Sequence, residues 1–477
     1  MQPLALTTSD RRIPGPERLF LLAAVLVSGT VTLPQAIDAG FLSGLGLWTI
    51  CCAGLSWGLW AMRPRAPLRL APALLPLAAF TAYAALSPIW GVRFESVWIQ
   101  QLAVLVAFGG CFILAGREAS LHPRFGEALL RALDLASVTA AVGYTLTYLA
   151  FGGGADAVIG GKSVFVARGF ALFALLAVAR QLARYHAGDL GGIVIAVWLT
   201  ALVTLSQSRL GMVACAALFP VSHAIVGGRR NWAAAVVMTA AAAGGLALML
   251  TLSQEMHDRF FGYDASLEVG GVAVNASGRT AAWEALIGDI RTPAKLCFGW
   301  GVGAASTYVS LRFENLPHPH NEYIRFLYDF GLFGLGSFVV FLATALVMSW
   351  RRTRAATAAI RGTGQARATL GLPLTALLSA VGIAVSFLTD NAGIYVFVMA
   401  PLGMVLGAAL AQPMPPRPGP KHVGRGSRLG DEKPPVVDYG DGLDWVFTEL
   451  PAQLPPPGPP RSSTKFRLPG PAPSSPP

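Results

Sequence analysis

The residues of this sequence best suited to chemistry are three arginines and a pair of histidines. Arg209 lies in TLSQSRLGM between two apolar runs, Arg279 lies in NASGRTAAWEAL, and Arg312 precedes the histidines His318 and His320. Guanidinium groups stay charged at any working pH and bind phosphate oxygens in pairs, whereas imidazole exchanges a proton near neutral pH. Together these residue types indicate a site that binds an anion and accepts a proton.

The two histidines open the segment PHPHNEYIRFLYDFGLFGLG, which predicts a helix that begins near Asn321. Asn321, Arg325 and Asp329 then recur at every fourth position and form one polar stripe on an otherwise apolar helix. An alternative role for Arg325 is an ion pair with Asp329. Three glycines later in the segment are expected to permit close helix packing; they are Gly331, Gly334 and Gly336.

Three roles are open to His318 and His320. A metal pair needs further ligands at suitable spacing, and the HPH loop has no third ligand nearby, so we expect no metal site. A histidine at a helix entry can instead cap or hydrogen-bond the backbone. The third role is acid–base chemistry, which suits an imidazole that faces water beside several arginines.

A nearby glycine series, Gly299, Gly301 and Gly303 in FGWGVG, is expected to form a flexible turn. It is not expected to bind phosphate, because no strand precedes it and no GK[ST] follows it. The five cysteines include no CxxC pair, so we expect neither a structural disulfide nor zinc, and no cofactor.

The elements that position these residues are predicted to be membrane-spanning helices. Of the 477 residues, 54% are apolar and 13% are charged, with a mean hydropathy of +0.55, which is too few charges to cover a water-soluble domain. About twelve continuously apolar runs are long enough to cross a hydrocarbon layer, and their lack of alternation excludes a β-barrel. We expect spans at 18–37, 41–62, 70–88, 95–115, 132–151, 164–183, 190–206, 209–226, 232–253, 323–349, 369–389 and 393–411.

The net charge of +11 comes from basic residues that lie between the apolar runs, so we expect no nucleic-acid partner. With a cytoplasmic N-terminus, the N-terminal segment and the short cytoplasmic loops carry eighteen arginines. The short outer connections and adjoining helix ends carry four basic residues, which are Arg93, Lys162, Arg168 and Arg209. The positive-inside rule selects this orientation, with both termini cytoplasmic. The first apolar run lacks a clear cleavage site and is expected to be a retained helix rather than a signal peptide.

The predicted fold class is an all-α integral membrane protein with one long periplasmic loop. Its parts are the cytoplasmic N-terminus 1–17, nine helices in 18–253, the loop 254–322, three helices in 323–411 and a cytoplasmic tail 412–477. Function is expected to concentrate in the long loop. The Pro-rich tail is expected to be disordered, with residues 436–450 suited to bind a partner or, alternatively, without a fixed role.

Arginines beside a histidine on the outer face indicate a substrate that is anionic and carried by the membrane. Fixed cations match the charge that develops on a departing diphosphate, so that side of the reaction needs no general acid. The attacking alcohol does need a proton acceptor, which a histidine supplies. This set of residues is sufficient to transfer a sugar from a lipid diphosphate to a hydroxyl.

Four short motifs lie in a characteristic order along the chain. They are LSPIWG at Leu86–Gly91 followed by Ser96, SxSR at Ser206, Ser208 and Arg209, SGR at Ser277, Gly278 and Arg279, and the pair His320–Asn321 followed by GLFGLG. In these motifs the sequence resembles the O-antigen ligase and O-antigen polymerase superfamily of bacterial envelope glycosyltransferases. The likeness is good over 206–336 and loose over 80–400. The stretch after Arg168 lacks the Asn-containing turn often found in the family and receives no role.

The resemblance implies an inverting, metal-independent transfer at the periplasmic face of the bacterial inner membrane. The donor would be a glycan linked to undecaprenyl diphosphate, and the acceptor a sugar or lipid A-core, as in lipopolysaccharide or exopolysaccharide biosynthesis. Arg209 and Arg279 would bind the diphosphate, and His320 would orient or deprotonate the acceptor hydroxyl. His320 is preferred to His318 because Asn follows it directly. The residues implied in substrate binding are His318, Asn321, Arg312, Arg325 and Asp390, of which Asp390 could also orient His320.

Other functions remain open at the level of sequence. Ligase and polymerase share this chemistry, and only the prevalence of ligases in the family favours the first. A transporter or flippase for lipid-linked sugars would need ionisable residues near mid-bilayer, for which His223 and Asp134 are the candidates. A non-catalytic subunit of a polysaccharide-export assembly would act through the tail.

Overall fold

The fold is taken from a computed structural model, which describes residues 15–30, 44–62, 72–91, 96–122, 124–151, 158–159, 162–163, 167–206, 208–227, 232–252, 254–261, 267–269, 272–274, 279–313, 316–363 and 367–412. The predictions made for the N-terminal 14 residues, Ser277, Gly278 and the Pro-rich tail beyond residue 412 lie outside the described residues.

The described residues form sixteen helices and two short hairpins. The helices are α1 Pro16–Gly29, α2 Gly44–Ala61, α3 Leu74–Leu86, α4 Ser96–Leu121, α5 Phe125–Phe151, α6 Ala167–His186, α7 Gly191–Leu205, α8 Arg209–Gly227, α9 Trp232–Leu252, α10 Gln254–Phe261, α11 Arg279–Asp289, α12 Pro293–Phe298, α13 Ala304–Arg312, α14 Glu322–Thr363, α15 Gly371–Ser386 and α16 Val396–Ala411. The antiparallel hairpins pair β1 Val158–Ile159 with β2 Lys162–Ser163, and β3 Leu267–Val269 with β4 Val272–Val274. Short 3₁₀ turns lie at Ser87–Ile89, Arg367–Leu370 and Ala392–Ile394.

Every predicted span overlaps one of these helices, and the two hairpins in the described part of the chain were not predicted. Within the described part, five helices are long and apolar enough to cross a membrane. They are Trp98–Leu121, Phe125–Leu149, Arg209–Gly227, Glu322–Arg361 and Arg367–Ser386. Shorter apolar helices occur at Leu74–Ile89, Gly191–Leu205, Ala233–Gly245 and Val396–Ala411. These helices indicate a membrane protein, and the count of twelve crossings stays a prediction.

The centre of the fold is the contact between α4 and α16, in which residues 396–410 are all buried. Gly403 and Gly407 lie directly against the backbone of Phe108 and Phe112. A side chain at either glycine would force the two helices apart. Such close backbone approach supplies the van der Waals contact that holds helices together where lipid removes the hydrophobic driving force.

A cluster of five phenylalanines fixes the first turns of α14. Phe80 of α3 has its ring centroid 5.2 Å from that of Phe326 and 5.7 Å from that of Phe330. Phe338 lies 5.6 Å from Phe387, which directly follows α15. Edge-to-face rings of this kind pack tightly and add to area burial. The start of α14 is therefore held between α3 and the end of α15.

Arginines at one end of the bundle bind the carbonyls that end its helices. Arg361 donates a hydrogen bond to the carbonyl of Val226 in α8, and Arg352 donates one to that of Leu410 in α16, both at 2.6 Å. The last carbonyls of a helix lack partners within the helix, and a cation stabilises that end. Both arginines belong to the set that the sequence assigns to the cytoplasm.

Helices α6 and α8 run parallel. Gly211, near the start of α8, packs directly against Ala171, near the start of α6. At the other end, Nε2 of His186 lies 3.0 Å from Oγ of Ser222. The starts of both helices therefore lie at the same end of the bundle.

The predicted long loop is itself folded into helices α10–α13 and the second hairpin. A separate hydrophobic cluster joins α11 and α13 to the first turns of α14; it comprises Ala282, Leu286, Ala305, Val309 and Tyr328. The Tyr328 hydroxyl donates a hydrogen bond of 2.7 Å to Oδ2 of Asp289 at the end of α11. The segment thus forms a small layer packed on the start of α14.

Candidate active site

Arg279 is the first residue of α11, the helix that continues through Trp283 and Glu284. The Arg279 guanidinium is half-buried, and its Nη1 donates a hydrogen bond of 2.8 Å to the carbonyl of Thr389. Thr389 lies between α15 and α16, 110 residues away in the sequence. The loop after α15 therefore holds one predicted diphosphate ligand in place.

His320 lies two residues before α14 in a conformation that few side chains adopt. Its φ is 56°, the one positive φ among the non-glycine residues that the structure describes. Histidine and asparagine tolerate this region better than most residues, and such backbones persist only where their surroundings enforce them. Trp283 helps to enforce it, since its Nε1 donates a hydrogen bond of 2.6 Å to the carbonyl of Pro319.

A carboxylate faces the imidazole of His320. Nδ1 of His320 lies 3.9 Å from Oδ1 of Asp390, and both residues are buried. The same Oδ1 accepts a hydrogen bond of 2.8 Å from the backbone N–H of Asn391, which fixes the carboxylate. A carboxylate at this distance attracts the positive charge that the ring gains when it accepts a proton.

Thr389 and Asp390 are neighbours in one loop, so Arg279 and His320 meet at consecutive residues. A cation and an imidazole from separate stretches of chain are brought to the same short segment. This convergence is the main feature of the candidate site.

Arg209 lies at the same end of the bundle. Gly371, at the start of α15, packs near Arg180 close to the end of α6, and Gly382 packs near Leu175. Helix α15 therefore runs opposite to α6 and α8, so its C-terminal end lies beside the start of α8. Arg209 is half-buried at that start, on the side of the fold that carries the loop after α15.

His318 has partners of its own. Its Nδ1 lies 3.1 Å from Oγ of Ser306 in α13, and the same hydroxyl accepts a hydrogen bond of 2.9 Å from Nε2 of Gln101 in α4. Among the described residues, no group of three or more His, Cys, Asp or Glu side chains is arranged to hold a metal ion. Through Ser306, His318 is linked to Gln101, so these polar side chains connect α4 to the layer that contains α13.

The polar stripe on α14 differs from the prediction. Asn321 caps the helix, since its Oδ1 accepts a hydrogen bond of 3.0 Å from the N–H of Ile324. Arg325 pairs with Glu322 at 2.5 Å, and the suggested ion pair with Asp329 is wrong. The Asp329 carboxylate instead accepts hydrogen bonds from two backbone N–H groups in the first turn of α13 and in the residue before it, at 2.7 and 3.1 Å.

The glycine series is a tightly packed loop, so the prediction of a flexible turn is wrong. Gly299, Gly301 and Gly303 have φ values of 72°, 97° and 82°, which favour glycine. A side chain at Gly299 would overlap the backbone of Asp329, and one at Gly301 would overlap that of Gly91. The loop therefore needs glycine for close backbone contact.

The early motif LSPIWG supports this glycine loop. Oγ of Ser87 accepts a hydrogen bond of 3.0 Å from the N–H of Val302, and the Tyr83 hydroxyl donates one of 2.9 Å to the carbonyl of Phe298. The motif and its neighbour Tyr83 thus stabilise, through hydrogen bonds to the backbone, the loop that precedes α13.

The later glycines have different roles. Gly331 interrupts α14 with φ 63° and ψ −166° and lies against the backbone of Cys297 in α12. A Cβ at Gly334 would contact Tyr83 of α3, whereas one at Gly336 would meet open space. Close packing is therefore confirmed for the first two and wrong for Gly336. Arg312 is exposed at the end of α13, with its guanidinium 3.7 Å from the ring centroid of Tyr308.

The residues proposed for a transport pathway are engaged elsewhere. Asp134 accepts two hydrogen bonds from Arg180, at 2.9 and 2.6 Å, at the arginine-rich end of α6. His223 lies four residues before the end of α8, and its Nδ1 is 3.1 Å from the carbonyl of Phe219. Both lie toward the end of the bundle opposite to His320.

Sequence reasoning missed three residues beside His320. The Thr389 carbonyl accepts a hydrogen bond from Arg279, and the Glu322 carboxyl group accepts one from the backbone N–H of Gly393. The one available signal was the acidic residue directly after the His–Asn pair.

Residues 194–339 match the family described as O-Antigen ligase. This segment contains Arg209, Arg279, His318 and His320 and ends in the first part of α14. No curated protein matches the chain at a significant level.

Proposed function

Because residues 194–339 match the family described as O-Antigen ligase, we propose that this chain is a membrane glycosyltransferase that acts on a lipid-linked glycan. It transfers the glycan from undecaprenyl diphosphate to an acceptor hydroxyl, either on lipid A-core as a ligase or on a further repeat unit as a polymerase. This match supports the general activity.

The single observation that carries the proposed chemistry is the convergence of Arg279 and His320 on Thr389 and Asp390. Arg279 has one guanidinium nitrogen fixed by a backbone carbonyl, which orients the group. Preorganised donors of this kind stabilise charge in a transition state without reorganisation. Arg209, at the same end of the bundle, supplies the second cation.

The reaction is a single displacement at the anomeric carbon. The acceptor oxygen forms a bond to that carbon as the bond to the diphosphate oxygen breaks, so the configuration inverts. The acceptor proton passes to the imidazole of His320, and the electron pair of the broken bond stays on the diphosphate. Arg209 and Arg279 match the diphosphate charge, which makes a metal ion unnecessary for this step.

The site end of the bundle is the periplasmic face of the bacterial inner membrane. The arginines Arg352 and Arg361 lie at the opposite end, in keeping with the positive-inside rule. The domains follow: helices in 18–253 and 323–411, the periplasmic layer in 254–322, and cytoplasmic segments at 1–17 and 412–477.

The direct test in cells is the glycan profile of the Arg279→Ala variant. Arg291→Ala is the matched control, because Arg291 is exposed in the same outer layer and donates to the carbonyl of Gly288. Arg279→Ala should abolish transfer while the protein stays inserted, and Arg291→Ala should give a normal ladder on a denaturing gel. A normal ladder from Arg279→Ala would refute the proposal.

A further inference from the structure

A buried ion pair lies at the start of α14. Oε2 of Glu322 is 2.5 Å from Nη2 of Arg325, and the two side chains are 1% and 3% exposed. Among the described residues, Glu322 is the one anion within ion-pair distance of Arg325. Taking two charges out of water is costly, and such pairs are kept where they fix one specific arrangement.

Glu322 also binds both ends of the segment 387–393. Its backbone N–H donates a hydrogen bond of 2.8 Å to the carbonyl of Phe387, and its Oε1 accepts one of 3.1 Å from the N–H of Gly393. One residue of α14 therefore holds the segment at its beginning and at its end.

Gly393 is needed for this contact. A Cβ at this position would lie 2.9 Å from Nη2 of Arg325 and 2.9 Å from Oε2 of Glu322, closer than real Cβ atoms approach. The buried charged groups would have to move away from the backbone of the segment. Glu322, Arg325 and Gly393 are called the clamp below.

The segment that the clamp holds carries both of the contacts that form the site. The carbonyl of Thr389 accepts from Arg279, and the carboxylate of Asp390 faces His320. We propose that Glu322 is a positioning residue. Through its ion pair with Arg325 and its hydrogen bond to Gly393, it fixes segment 387–393, and this segment in turn orients Arg279 and His320. Its effect on transfer rests on the proposed function, whereas its hold on the segment does not.

Burial argues against substrate contact by Arg325. Its guanidinium is 3% exposed and engaged by a carboxylate, whereas Arg209 and Arg279 are half-buried. Arg325 therefore acts by holding the Glu322 carboxyl group in place.

The first experiment measures backbone hydrogen exchange in the full-length protein in detergent. The variants are Glu322→Gln and Gly393→Ala, and the control is Gly336→Ala, which adds a methyl group to open space on α14. The amides of 387–394 should exchange at least tenfold faster in the first two variants and at the wild-type rate in the control. The exchange of α16 should stay unchanged in all of them.

The second experiment measures kcat for transfer per folded molecule. Glu322→Gln and Gly393→Ala should each lower kcat at least tenfold, and the double variant should lose no more than the worse single variant, because both changes break one device. Gly336→Ala should stay within twofold of wild type. The thermal unfolding midpoint, read in parallel, corrects for any loss of folded protein.

Two results would overturn the clamp. One is wild-type exchange of 387–394 in both variants, and the other is a pair of kcat losses that multiply in the double variant. Failure of the proposed function gives a different result, in which Arg279→Ala transfers glycan normally. Faster exchange of 387–394 would still support the clamp in that case.

Discussion

Replacement of His320 by asparagine separates the imidazole from the unusual backbone that carries it. At a φ of 56°, alanine would add roughly 1 to 2 kcal/mol of backbone strain, whereas asparagine adopts this region readily. The His320→Asn variant should therefore fold like wild type and lose only the proton acceptor.

The expected loss can be estimated from the geometry. A positioned general base contributes about 10²- to 10⁴-fold to a rate, or roughly 3 to 5 kcal/mol of the barrier. Asp390 faces Nδ1 at 3.9 Å, where two unit charges attract by roughly 4 kcal/mol at an effective dielectric constant of about 20. Part of this attraction is offset by desolvation, so Asp390→Asn should lower kcat about 100-fold and His320→Asn about 1,000-fold.

The assay is kcat in reconstituted vesicles with a lipid-diphosphate glycan and a saturating acceptor. Because the two residues act as a unit, the double variant should be no slower than His320→Asn alone. A kcat for His320→Asn within threefold of wild type, with the protein folded, would refute the role of this histidine as the base.

Three further predictions concern the support of the site and the fold. Trp283→Phe removes the hydrogen bond to the Pro319 carbonyl, at a cost of about 1 kcal/mol, and should lower kcat while the unfolding midpoint changes little. A wild-type kcat would contradict this prediction. Gly301→Ala forces an L-residue to a φ of 97°, at a cost of roughly 1 to 2 kcal/mol before its backbone clash, so detergent-stable yield should fall, and an unchanged midpoint would contradict the tight loop. Asp134→Asn leaves the nearly buried Arg180 guanidinium without its carboxylate, which should cost about 3 kcal/mol in unfolding with transfer retained per folded molecule; loss of activity without loss of stability would point to a transport pathway.

The helices were predictable because continuous apolar runs and local capping are encoded over short distances. Asn321 illustrates this, since an asparagine before an apolar run predicts the helix start that the structure shows. Boundaries in charged sequence were harder. Helix α5 begins at Phe125 rather than 132, because Arg131 and Glu127 face outward at i, i+4 spacing and extend the helix beyond its apolar run. Helix α14 likewise continues to Thr363 through an arginine- and alanine-rich stretch that favours helix.

The residue types of the site were predictable from the sequence, whereas the contacts between those residues were not. The arginines and the histidine stand out because charges are rare in an apolar chain. The partners of those residues are set by tertiary contacts: Thr389 is 110 residues from Arg279, and Gly393 is 71 residues from Glu322. Sequence periodicity reflects only local structure and cannot predict contacts between residues so far apart in the chain. The tight glycine loop was missed for the same reason, since its packing partners are Asp329 on α14 and Gly91, both distant in the sequence.

The central claim is that Arg279 and His320 act together on a lipid diphosphate. The most direct measurement supplies purified protein with undecaprenyl-diphosphate glycan and candidate acceptors, with a chelator present and no nucleotide, and follows release of the lipid diphosphate. Release that depends on both acceptor and protein, and that is lost in Arg279→Ala and His320→Asn, is the predicted result. Release that is unaffected by either substitution, or that never occurs with any lipid-linked donor while the protein is folded, would contradict the account.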